Sequence, residues 1–184
     1  MVLLDVRALD PHTTLLVHPS HSAIVRDARI IDTLHEQIVH ASQDLVVTES
    51  GMYTYDPKRT LWEAPAPVLA CSRSDHLIVV GLATLALMVL SRLDDGRWTV
   101  VHTLHTHAPV SSLDIADVLV ASFWDRSLCT YAVPDMKLLA HHTTSSLVCS
   151  ALWHRFVPDG PAYLVLGCND GHILVHDAHY TSIH

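Results

Sequence analysis

Apolar residues along this chain gather in short runs separated by turn-forming residues, and the runs are rich in β-branched side chains. That pattern predicts strands rather than amphipathic helices. The best helical candidate, Ile30 to Val39, is short and β-branched, so a strand is expected there too. Four segments resemble one another: Glu36 to Val47, His76 to Leu90, Asp117 to Val133 and Ala162 to His176. Each reads as an apolar strand ending on a small residue, a turn and a second apolar strand. The small residues are Ala41, Gly81, Ala121 and Gly167, separated by 40, 40 and 46 residues.

A period of this size suits a propeller blade, a four-stranded antiparallel sheet. Asn169-Asp170-Gly171 is a strong hairpin turn, and a small residue at a strand end lets neighbouring blades approach closely. The expected fold is therefore all-β, a partial β-propeller of about three to four four-stranded antiparallel blades. The blade-like units are 14–63, 67–104, 110–141 and 147–177. In the first unit Thr14 to His18 is expected as the inner strand and Met52 to Trp62 as the outer one. Inner strands elsewhere are Val68 to Ser72, Val110 to Ile115 and Leu147 to Leu152; Arg97 to Leu104 and Lys137 to His141 are outer. Closed propellers usually have about four to eight blades. The expectation is thus an incomplete propeller spanning 1–184, its remaining blades supplied by a longer chain unless it closes against a partner. Alone, such an arc would self-associate through its open edges; the polar stretch His179 to His184 is the competing cap.

Composition narrows the functional classes. The chain is 49% hydrophobic and 16% charged, too apolar for a disordered tail. Its net charge of −8 speaks against a broad surface for nucleic-acid phosphates. The longest apolar run, Leu77 to Leu90, is fourteen residues, short of the ~18 that a membrane helix needs. No membrane partner is expected, and the N-terminus lacks the basic region of a signal peptide. Cys71, Cys129, Cys149 and Cys168 form no C-x-x-C pair and read as reduced core thiols.

No catalytic, cofactor or metal residues are assigned. His35-Glu36 followed by His40 has the wrong spacing for a zincin helix. His102, His105, His107 and His141-His142 read as surface positions, and there is no G-x-S-x-G elbow. Trp62, Trp98 and Trp153 are expected to pack between blades. Trp124, at a hairpin tip beside Phe123, is the candidate partner contact together with Phe123.

Three passages carry a family resemblance: Leu61-Trp62-Glu63-Ala64-Pro65, the hairpin Leu77 to Leu90, and Ala121 to Leu139 with Trp124 and Pro134. From about Glu36 to Asp177 the chain resembles the second β-propeller of the family containing the large subunit of the UV-damaged-DNA-binding complex. That family also includes the large cleavage-and-polyadenylation specificity subunit and a splicing-factor subunit. The resemblance implies a non-catalytic scaffold in a nuclear complex, with the cytoplasm as the alternative location. It implies protein partners, either a cullin-type ligase scaffold or RNA-processing subunits, with nucleic acid reached indirectly through the complex. No partner-contact residue of that family carries over to this chain. A nucleic-acid-binding module is the second reading. A generic WD-repeat protein is the structural rival, since Thr106 to Leu113 looks like the start of such a repeat. Trp124-Asp125 falls in a turn, where the dipeptide of those repeats does not lie.

Overall fold

The computed structural model describes residues 5–9, 13–17, 22–27, 29–42, 44–55, 57–157 and 159–177, and every regular element among them is a strand. The stretch His179 to His184 and His18 lie outside the described residues. The chain divides into two compact units, Met1–Val68 with Leu93–Trp98, and Leu69–Arg92 with Thr99–His184.

In the first unit, β1 (Asp5–Ala8), β2 (Thr13–Val17), β3 (Ser22–Arg26) and β4 (Arg29–Leu34) form one antiparallel sheet. A second contains β5 (Ile38–Ala41), β6 (Val46–Thr48), β7 (Gly51–Tyr55) and β8 (Lys58–Glu63). Leu15, Ile24, Leu34, Val46 and Tyr55 are buried in their shared core. The stretch 14–63 therefore holds parts of two sheets rather than one blade. Thr14 belongs to β2, an interior strand, and the expected outer strand 52–62 is folded back on itself as β7 and β8. Pro57 sits in the turn between them, its carbonyl accepting from the Thr54 hydroxyl at 2.6 Å. The Asp56-Pro57 pair is a turn signal that the apolar pattern around it obscures.

The second unit carries three further sheets. The first runs β12 (Trp98–His105), β11 (Ala86–Arg92), β10 (Leu77–Leu82), β9 (Val68–Arg73). The next is β13 (Val110–Ile115), β14 (Val118–Phe123), β15 (Ser127–Ala132) and β16 (Leu138–Thr143). The last is β17 (Val148–His154), β18 (Tyr163–Cys168) and β19 (Ile173–His176). First strands are stitched together by side chain to backbone bonds. Ser72 on β9 accepts from the Ile115 amide at 3.1 Å. Ser112 accepts from Ala151 at 3.0 Å and Asp114 from Trp153 at 2.7 Å, joining β13 to β17. Sheets that converge on their first strands and expose the last, as β16 is exposed, are arranged as blades.

Small residues set how closely these sheets approach. A Cβ built on Gly81 would lie 2.9 Å from Val110 Cβ on the next sheet. Gly81 is thus the close approach expected of it. In the following sheet Ser122, not Ala121, holds that position. Gly81 pairs with Leu87, Ser122 with Leu128 and Gly167 with Ile173, each six residues on. Ser111 lies 3.1 Å from Ser122 Oγ and donates to the Val148 carbonyl at 2.7 Å. Ala41 departs further: it ends β5, the first strand of its sheet, whereas Gly81 and Gly167 lie in second strands. Its 40-residue spacing from Gly81 reflects similar apolar runs, not equivalent places in the sheets.

Candidate interaction surface

Three hairpins of the second unit share one local structure. In Leu82–Leu85, Phe123–Arg126 and Cys168–Gly171 the fourth residue donates its amide to the carbonyl of the first, at 3.0–3.2 Å. That fourth residue is left-handed each time: Leu85 at φ 59°, Arg126 at 71° and Gly171 at 87°. Only at Gly171 does the residue suit the conformation without steric cost. The surrounding bonds also repeat. Thr106 donates to the Leu85 carbonyl at 2.8 Å and Thr144 to that of Arg126 at 2.9 Å, while Trp124 and Asn169 donate to Pro109 and Leu147, both at 2.9 Å. Each turn is thereby lashed to the loop that leads into a first strand.

A carboxylate rigidifies two of these tips. Asp125 Oδ1 accepts from the Ser127 hydroxyl at 2.6 Å and from its amide at 3.0 Å. His107 Nε2 lies 2.8 Å from Ser127 Oγ and 3.1 Å from Asp125 Oδ2. Burial pushes the Asp125 carboxyl up, but the Ser127 bonds and the His107 charge outweigh it and leave the group below its ordinary value. Asp170 is lowered to about 2, first by the Ser146 hydroxyl and then by the His172 amide. In the first unit Glu36 does similar work, accepting from Thr48 at 2.6 Å and Ser50 at 2.5 Å. Ser50 is the main cause of its lowered pKa, with Thr48 next.

Ser127, His107 and Asp125 invite comparison with a hydrolytic triad, and their geometry argues against one. In such a triad the acid binds one imidazole nitrogen and the serine the other. Here one nitrogen faces both, and Ser127 gives its proton to Asp125 rather than to His107. Nε2 must then carry a hydrogen to bond either neighbour, which leaves it no lone pair with which to activate the serine. The cluster is a clamp.

Phe123 and Trp124 face opposite fates. Trp124 is 62% exposed at the tip of its hairpin. Phe123 is fully buried, its ring 5.0 Å from that of His107, so it offers a partner no surface and is removed from the candidate contacts. Adjacent residues near a strand end point to opposite sides, and Phe123 points inward. Trp98 is buried, while Trp62 and Trp153 are half-buried. Burial pushes the Cys71 thiol up to about 12 and raises Cys129 as well. Cys149, expected in the core, is exposed. His35 lies beside the Glu36 clamp, and among the described residues no three His, Cys, Asp or Glu side chains gather as a metal site. The clamp was legible only in part. Thr106-His107 and Asp125 stood out in the sequence, but nothing local joins them across the chain.

No protein-family model matches the chain. It is 24% identical over 183 residues to pre-mRNA-processing factor 19 of Oryza sativa subsp. japonica, covering 90% of this chain and 32% of that protein. Among solved structures it superimposes on Saccharomyces cerevisiae Sqt1 with a TM-score of 0.70 at 12% identity, over 90% of this chain and 55% of that one. The chain thus spans about a third of the first protein and about half of the second. The fold is a WD40-like β-propeller. The likenesses point to WD-repeat proteins rather than specifically to the damaged-DNA-binding family. Trp124-Asp125 does lie in a turn, where Asp125 clamps His107.

Proposed function

We propose that this chain is a non-catalytic protein-interaction scaffold with Trp124 as a contact residue. The observation that carries the reading is a large exposed aromatic on a tip whose backbone is already fixed by Asp125, Ser127 and His107. An anchor held in place before binding loses little freedom on docking, and tryptophan is enriched among residues that dominate interface energies. The likeness to a pre-mRNA-processing factor supports a nuclear setting and RNA-processing partners. The narrower kinship with the damaged-DNA-binding family, and with it a cullin-type ligase partner, rests on the sequence passages alone. A net charge of −8 favours protein over nucleic-acid contact.

The test is affinity capture from nuclear extract with the wild-type chain and with Trp124→Ala. RNA-processing proteins should be retained by the wild type and reduced about tenfold or more by the variant. Its melting temperature should not change. Equal retention by both proteins would remove Trp124 from the interface. Capture that is abolished by nuclease and falls away steeply with added salt would favour direct phosphate contact instead.

A further inference from the structure

The turn that carries Trp124 holds a second exposed group, Arg126. The Arg126 amide donates to the Phe123 carbonyl at 3.0 Å. Its own carbonyl accepts from the Thr144 amide and hydroxyl, both at 2.9 Å. The residue is nevertheless left-handed, at φ 71°. Gly171 takes the equivalent place in the last hairpin and adopts that conformation without steric cost. The turn therefore needs no side chain there, and an arginine adds strain. A cationic side chain thus springs from a fixed point beside an exposed indole.

The guanidinium is only lightly engaged within the chain. It has several N–H donors, and its contact is Nη1 to the Ser145 carbonyl at 3.4 Å. Among the described residues no carboxylate pairs with it. Its neighbour Asp125 is turned to Ser127 and His107 instead. Water satisfies an exposed arginine, so the missing carboxylate matters only because of what stands nearby.

On the other side of Trp124 lies apolar surface. Leu85 closes the preceding hairpin and is 36% exposed. Its carbonyl accepts from Thr106, and the Pro109 carbonyl accepts from Trp124, so the loop 106–109 holds both tips. The loop 144–147 holds Arg126 through Thr144 and Ser145. Leu85, Trp124 and Arg126 follow one another across these lashed turns, apolar first and cationic last.

We infer that this row binds an extended acidic segment of a partner protein, with an apolar side chain on Trp124 and a carboxylate on Arg126. Two Cα steps separate Trp124 from Arg126, a span of at most about 7.6 Å. Side chains on one face of an extended segment recur about every 6.6 Å, so residues i and i+2 of the partner match the pair. Carboxylate and guanidinium form strong paired bonds, and Trp and Arg are both enriched among residues that dominate interfaces. The net charge of −8 disfavours an acidic segment over the surface at large, so a local cation selects where it docks. The inference rests on the reading of Trp124 as a contact and names the chemistry of its partner.

The probe is a random heptapeptide display library, selected on the full 184-residue chain, on Trp124→Ala and on Arg126→Glu. The wild type should enrich peptides with an Asp or Glu two residues from an aromatic or large aliphatic residue. Arg126→Glu should replace that acid by Lys or Arg. A selected peptide should bind the wild type about fivefold more tightly than its Asn or Gln counterpart, and Arg126→Gly should abolish that difference. The melting temperature of Arg126→Gly should stay level or rise, because glycine relieves the left-handed strain. No enriched peptides, enrichment without an acid, or an acid preference that survives Arg126→Glu would each overturn the proposal. Peptides lost on Trp124→Ala but indifferent to Arg126→Glu would overturn it and leave Trp124 as a contact. Peptides indifferent to Trp124→Ala would overturn both.

Discussion

The sheet β13–β16 and the sheet β17–β19 share turn chemistry and differ in how they are covered. In the former, Phe123, Leu119 and Ala121 pack on one side, while Val120 and Leu128 pack against the next sheet on the other. The latter buries Leu164 and Leu166 on the face that meets its neighbour, yet Leu152 is 48% and Ile173 71% exposed. Both carry a left-handed fourth turn residue and a clamping aspartate. Hairpin geometry is therefore local. Burial of a strand face is conferred by whatever packs over it.

The largest expected effect is on the covered sheet. Phe123→Ala should cost about 3–5 kcal/mol, through lost burial and the cavity left behind. Ile173→Ala should stay within about 0.5 kcal/mol. Urea unfolding of both variants checks the contrast, and comparable losses would show that the outer face of β17–β19 is covered in solution.

Next come the paired glycines. Gly81→Val should destabilise by about 1–3 kcal/mol, because Val110 is branched at Cβ and cannot swing away. At Gly167 the nearest atom to an added Cβ is Ser150 Cβ at 3.6 Å, an ordinary contact. Gly167→Ala should be nearly silent in a thermal melt, whereas Gly81→Ala should not.

The clamps predict an acid-sensitive stability. Asp125 and Asp170 titrate lower in the folded chain than in the unfolded one. Their stabilisation is therefore complete above the unfolded value, near pH ~4, and is lost as the pH falls through the folded values. For Asp170 that loss extends to about pH 2. The urea midpoint should decline across this window. Asp125→Asn and Asp170→Asn should each flatten the decline, and unchanged slopes would mean the carboxylates are not clamped.

The smallest expected effect concerns chemistry rather than stability. Iodoacetamide should modify exposed Cys149 in the folded chain and spare buried Cys129, as peptide mass mapping would show. Equal labelling would mean that the covered sheet opens as readily as its neighbour.

Much of this was present in the sequence because strands and turns are short-range affairs. β-Branched runs broken by Asn169-Asp170-Gly171 and by Ala83 to Leu85 specify hairpins wherever the chain folds. Gly81 marks a close approach because no other residue leaves the space that Val110 fills. Strand alternation assigns each residue to one of two faces but cannot say which face will be covered. Phe123 and Trp124 are neighbours in sequence, and only the apolar cluster that takes in Phe123 and leaves out Trp124 separates core from surface. The same limit explains Ala41, whose local pattern matches Gly81 although its strand has another place in the sheet. It explains the clamp, which joins His107 to a serine twenty residues away. Periodicity and turn residues act over a few positions, so sequence alone determined the strands. Coverage and clamps require distant segments to meet, and only the tertiary structure decided those.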